Sequence, residues 1–271
     1  MVKWLLTVVG LWPTEESDWW YRLLPYAQLI LSTITVMAIV NFIVHHIKNV
    51  KVIINVIGLL TSTSLYMLKL FVITINRDGI AMIHRELNAF HYDIMRDDRL
   101  IGPALKRVGR CFHLSWTFTA SVWGSFFMIL VILPFINMMM QVIKNSAHAK
   151  YTLIYPTLYP WNTTTDSHLF RLTYLIETLT AFSCSTATTG IDSLILFYIF
   201  QMISQLRAMS YRLNDVGKKE SYDDIMKTCA VQYVTIIGCR NELQRIYGPI
   251  ILYNVGSCAA LLCTLMYQLY Q

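Results

Sequence analysis

Lys69, Glu177 and Asp192 each fall inside a long apolar run, and charge in such a setting is where this sequence holds most of its chemistry. A charged side chain surrounded by lipid is costly, so one that persists is ordinarily paired, faces a water-filled cavity, or serves a function. Lys69 and Asp192 lie toward the same end of two different runs, and two interpretations stand. Either the residues pair across a helical bundle, or Asp192 sits at the aqueous interface and is simply hydrated. Glu177 lies near the opposite end of the run it shares with Asp192, where it either reaches outward to water or faces a cavity. Seven histidines raise metal binding as a second chemistry, but their spacing argues against it. His45 and His46 are adjacent and would point about 100° apart on a helix, while His84 and His91 are two turns apart on a basic segment. No His-Glu-x-x-His, Cys-x-x-Cys, Gly-x-Ser-x-Gly or glycine-rich phosphate loop occurs, so no metal, cofactor or catalytic site is expected.

Two further groups of residues read as helix contacts or cavity walls. Ser121, Gly124 and Met128 share one helical face; the glycine leaves room beside the helix, and Met128 with Phe127 offers adaptable apolar surface. Ser183, Cys184, Ser185, Thr186, Thr188, Thr189 and Gly190 form a run of small residues, which in a membrane means close helix approach or a cavity.

The elements that must position these residues follow from composition. The chain has 271 residues, 55% hydrophobic and 14% charged, with a mean hydropathy of +0.48. A soluble domain carries about 25% charged residues, and here the apolar excess is gathered into runs. Five runs are long enough to cross a bilayer, each near the required ~20 residues: 24–44, 52–75, 113–140, 169–203 and 246–269. The predicted fold is all-α, a polytopic membrane helical bundle forming one domain over 1–271. The fourth run exceeds a single span and is expected to continue beyond the bilayer as helix.

Lysine and arginine favour the cytoplasmic side of a membrane. Residues 76–112 carry seven such residues, including Arg77, Arg85 and Arg110, and residues 204–245 carry seven more, including Arg207, Lys227 and Arg245. The intervening loops hold only Lys48 and Lys51, or Lys144 and Lys150. The basic segments and the N-terminus are therefore predicted inside, and the loop after the third run outside. That loop contains Asn162-Thr163-Thr164, a glycosylation acceptor usable only on the outer side. A G-protein-coupled receptor would have the opposite orientation. At the N-terminus Lys3 and an apolar stretch resemble a signal peptide without a small-residue cleavage site. Trp4, Trp12, Trp19 and Trp20 instead predict a segment lying in the membrane interface.

Several stretches together resemble the insect odorant receptors: Gly10-Leu11-Trp12-Pro13, Leu68-Lys69-Leu70, the segment from Gly190 to Leu213, and the segment from Leu243 to Cys263. Their order, the short first loop and the basic inner segments match as well. The resemblance implies seven spans with a cytoplasmic N-terminus, in a plasma-membrane receptor of sensory neurons. It also implies a ligand-gated cation channel formed as a hetero-tetramer with a co-receptor. A pocket for small volatile organic molecules is implied in the outer half of the bundle. Its expected lining is Ser121, Gly124 and Met128 first, with Phe127, Tyr66, Tyr174, Glu177 and Phe182. By this resemblance the pore helix lies beyond Gln271, so residues 1–271 are expected to be incomplete at the C-terminus and not to conduct, even beside a co-receptor. A gustatory receptor of the same architecture, or an unrelated transporter, is the alternative.

Overall fold

The computed structural model describes residues 2–13, 18–96, 101–102, 108–128, 136, 140, 153–161, 168–214 and 222–270. Among these the chain forms seven α-helices and no strand: α1 (Val2–Val9), α2 (Trp19–His45), α3 (Val50–Ile75), α4 (Arg77–Arg96), α5 (Val108–Phe127), α6 (His168–Asn214) and α7 (Tyr222–Tyr270). Four of them are long and apolar enough to cross a membrane: α2, residues Val52–Ile75 of α3, α6 and most of α7. The expected third span corresponds to α5 and continues into residues outside those described. Glycosylation at Asn162 also falls outside them.

The distribution of side chains on α2 is that of a helix in lipid. Its buried positions are Pro25, Gln28, Ser32, Thr35, Ala38 and Ile39, spaced by three and four and mostly small or polar. Its exposed positions include Ile30, Met37, Val40 and Val44. Apolar residues facing outward and small polar residues facing the bundle is the arrangement expected where the solvent is hydrocarbon. Helix α4 has the opposite arrangement. Ile80, Ile83, Leu87 and Ile94 are buried, and charged residues such as Arg85 and Glu86 are exposed. That amphipathic stripe belongs to a helix in water, and α4 extends the bundle beyond the bilayer on the basic side.

At the centre stands α6, a 47-residue helix that packs against each of the other six. Its small residues allow this. A Cβ added at Gly190 would lie 3.0 Å from Leu6 Cδ2, so α1 rests directly on the glycine. The N-terminal segment is therefore docked on the bundle, a contact the sequence did not reveal. Val2, Leu5, Leu6 and Val9 fall at the spacing of one helical face, and Leu5, Leu6 and Val9 are buried. Of the four N-terminal tryptophans, Trp4, Trp19 and Trp20 are exposed, whereas Trp12 packs on the core. Trp19 and Trp20 also open α2 itself, which starts five residues before the expected span. Similarly α7 runs unbroken from the basic segment through the fifth apolar run, 49 residues in all and with Pro249 inside it.

Trp12 meets the ring of His84 edge to face, with centroids 5.0 Å apart. Burial, and next the nearby Lys3, lower the His84 pKa from its ordinary value, so the folded chain favours neutral imidazole. A folded pKa below the unfolded value of about 6.5 means a contribution present above that pH and lost as pH falls through it. Acidification from pH 7.5 to 5.5 should therefore lower the melting temperature of the wild type more than that of His84→Gln. Equal slopes in thermal melts of the two proteins would remove His84 from the pH response.

Candidate ligand cavity and the outer strap

Opposite the basic end of the bundle, α3, α5 and α6 diverge around a cavity of about 360 Å³. Leu59, Ser62 and Thr63 face it from α3, Phe118, Ser121, Val122 and Ser125 from α5, and Ala181, Cys184 and Ser185 from α6. The volume lies in the range of small-molecule sites, ~300–1,000 Å³. Short hydroxyl side chains dominate its polar content. Ser121 and Ser125 donate within their own helix, to Thr117 O at 2.8 Å and Ser121 O at 2.9 Å, and Ser185 donates to Ala181 O at 3.0 Å. Each hydroxyl therefore presents an oxygen lone pair, while methyl, phenyl and thiol groups supply the rest of the wall. Such a surface accommodates a small, largely apolar molecule with one or two polar groups.

A strap of residues 153–161 closes the outer side, with Ile154 and Tyr155 in the cavity wall. Glu177 is fully buried and holds this strap. Its Oε2 accepts the backbone N–H groups of Ile154 and Tyr155 at 2.8 and 3.1 Å. Its Oε1 accepts the hydroxyls of Thr157 and Tyr159 at 2.7 and 3.2 Å. Burial, followed by neighbouring Cys184 and Glu177, raises the Tyr155 pKa above its ordinary value. Burial and Glu177 do the same for Tyr159, so both remain neutral phenols.

Of the residues expected to line a pocket, Ser121 reaches the cavity. Gly124 and Met128 do not, because α5 is turned so that Phe118, Ser121, Val122 and Ser125 face inward. Gly124 has open space beside it and Met128 is 54% exposed. Phe127 closes α5, and its side chain lies outside what is described. Tyr66 is buried in the main core one turn inward from Ser62 and Thr63. Tyr174 is half-buried on α6, one turn outward from Glu177. Phe182 packs edge to face on Trp123, centroids 5.5 Å apart, and so joins α5 to α6. Glu177 contacts the strap, not the cavity. Sequence reasoning missed the α3 wall and the strap. Ser62 and Thr63 beside Leu59 gave a signal of short polar residues at helical spacing, whereas nothing local marks Ile154 and Tyr155.

Deeper in the bundle Lys69 Nζ lies 2.6 and 2.8 Å from the two carboxylate oxygens of Asp192. Lys69 is 1% exposed and the Asp192 side chain 32%. Of the two alternatives the sequence left open, the structure shows the pair, with Asp192 only partly buried.

The 7tm Odorant receptor family model matches residues 49–271, which include every element around the cavity and the Lys69–Asp192 pair. The chain belongs to the odorant receptor family. This settles the choice against a gustatory receptor or a transporter, and it makes the chain a multi-pass membrane receptor of a family that is not enzymatic. Two solved structures are similar in fold. The insect olfactory receptor OR5 from Machilis hrabei aligns with a TM-score of 0.70 at 13% identity, over 98% of this chain and 69% of that one. The same receptor in complex with eugenol aligns with a TM-score of 0.70 at 14% identity, over 100% and 70%. No curated protein sequence matches the chain.

Proposed function

We propose that this odorant receptor binds small volatile organic molecules in the cavity between α3, α5 and α6, beneath the strap. The observation that carries this reading is the cavity itself: about 360 Å³, walled mainly by apolar groups and a few hydroxyls. The eugenol complex of the Machilis hrabei receptor supports the same class of ligand and supplies a probe. In this reading the N-terminus is cytoplasmic, Asn162 lies on the outer face, and the receptor works in the plasma membrane of a sensory dendrite. It does so as a subunit of a ligand-gated cation channel, in a hetero-tetramer with a co-receptor. Residues 1–271 supply the ligand-binding bundle and conduct no ions alone, since their apolar runs hold isolated charges and no polar face that crosses the bilayer.

The test is to fill the cavity. Ser185→Phe places an aromatic ring in the space from the α6 side and should weaken eugenol binding about tenfold or more, a loss of ~1.4 kcal/mol or above. Tryptophan fluorescence titration of the purified chain in lipid nanodiscs reads this directly. Unchanged affinity in a variant with an unchanged melting temperature would sink the assignment.

A further inference from the structure

Glu177 is a fully buried carboxylate on an apolar helix, and among the described residues it forms no ion pair. A buried charge in that position must be compensated by hydrogen-bond donors, and the strap provides four. A carboxylate has about four acceptor positions, and Ile154 N–H, Tyr155 N–H, Thr157 hydroxyl and Tyr159 hydroxyl occupy that number. Glu177 therefore has no acceptor left for a ligand, although it stands beside the cavity. The strap is held elsewhere too. Leu158 N–H donates to Ala38 O at 3.1 Å, and Asn41 Nδ2 donates to Leu158 O at 2.9 Å. Trp161 Nε1 donates to Thr173 Oγ1 at 3.0 Å.

The two backbone amides on Oε2 belong to the same residues, Ile154 and Tyr155, that form the outer wall of the cavity. The ties at Leu158 and Trp161 fix the far part of the strap, and among the described residues the hydrogen bonds that join the part above the ligand space to a helix run to the Glu177 carboxylate. We propose that Glu177 is a specificity-determining positioning residue: it sets the height of the Ile154–Tyr155 roof, and so the size of ligand admitted, without touching the ligand. The proposal rests on the cavity being the ligand site.

Three variants separate the roles. In Glu177→Gln one oxygen becomes an amide donor, so either the two backbone amides or the two hydroxyls lose their acceptor. Thr157→Val and Tyr159→Phe each remove one donor and leave the carboxylate in place, which keeps the question open to measurement if Glu177→Gln fails to fold. The probes are 2-methoxyphenol and the larger eugenol, titrated by tryptophan fluorescence, together with hydrogen–deuterium exchange at the amides of residues 154 and 155. Expected are faster exchange at those amides and a change of about threefold to tenfold in the affinity ratio of the two probes, the size of effect one or two hydrogen bonds produce. Faster exchange with an unchanged ratio overturns the positioning role, and so does unchanged exchange in all three variants. Ser185→Phe, measured alongside, distinguishes the causes. If it abolishes eugenol binding while the strap variants leave the ratio alone, the cavity stands and the role of Glu177 falls. If it leaves binding intact, the cavity reading itself fails, and the role of Glu177 with it.

Discussion

Asp192→Ala should destabilise the receptor by ~3–5 kcal/mol, because it leaves the Lys69 ammonium buried without its counter-charge. The structure makes the pair asymmetric. Lys69 is 1% exposed, and both of its close contacts are to Asp192 oxygens, whereas Asp192 keeps 32% of its surface. Removing Lys69 strands a group that is only partly buried, so Lys69→Met should cost less, roughly 1–3 kcal/mol. The double variant Lys69→Met with Asp192→Ala removes both charges and retains apolar volume on α3, and it should recover much of the single Asp192→Ala loss. Thermal melts of the four proteins in detergent form the cycle. Additive losses, with no recovery in the double variant, would mean that the 2.6 Å contact contributes no coupling.

How much of this was legible beforehand depends on the range of the interaction. The spans were readable because a membrane helix must satisfy its backbone internally and shed its charges, which leaves long apolar runs. Lys69 and Asp192 were readable as partners because intramembrane charges are rare enough that two at one depth invite pairing. Ser121 was readable as a wall residue, but its assumed neighbours Gly124 and Met128 were not. Helical periodicity gives a shared face without giving the rotation of that face relative to α3 and α6. Here the Trp123–Phe182 contact and the packing of α5 on α6 set the rotation. The role of Glu177 was hidden for a different reason. Its partners lie 18 to 23 positions away in an irregular strap, two of them backbone N–H groups that carry no residue-type signal. The extent of α7 was missed because its first half is polar enough to read as a separate cytoplasmic segment.

The Gly10-Leu11-Trp12-Pro13 motif, which the sequence offered only as a point of resemblance, acquires a physical account and the second large prediction. Gly10 has φ +79°, in the left-handed region open chiefly to glycine. It ends α1 with paired bonds, Gly10 N–H to Thr7 O at 3.1 Å and Leu11 N–H to Leu6 O at 2.8 Å, the closing pattern in which glycine is the preferred residue. Its carbonyl accepts from Arg77 Nη2 at 2.6 Å, and the same guanidinium lies 5.3 Å from the centroid of the Tyr21 ring. The Tyr21 hydroxyl in turn accepts the Trp12 N–H at 2.9 Å. One residue thus joins α1, α2 and the start of α4. A Cβ at position 10 would sit 2.9 Å from the Tyr21 carbonyl oxygen and 3.1 Å from both Leu24 Cβ and Pro25 Cδ. Two of these neighbours are a backbone oxygen and a proline ring carbon, neither of which can swing aside. Gly10→Ala should therefore lose roughly 1–3 kcal/mol from backbone strain alone, and the clash adds to it by pushing α1 off Gly190. The expected result is a lower melting temperature together with faster protease cleavage within residues 2–13, while eugenol affinity below the melting transition changes little because the cavity lies at the opposite end of the bundle. Arg77→Ala tests the same junction from its other side. It removes the bond to the Gly10 carbonyl without strain, so its loss should be smaller than that of Gly10→Ala. Wild-type melting and wild-type cleavage in Gly10→Ala would show that α1 is not held through this turn.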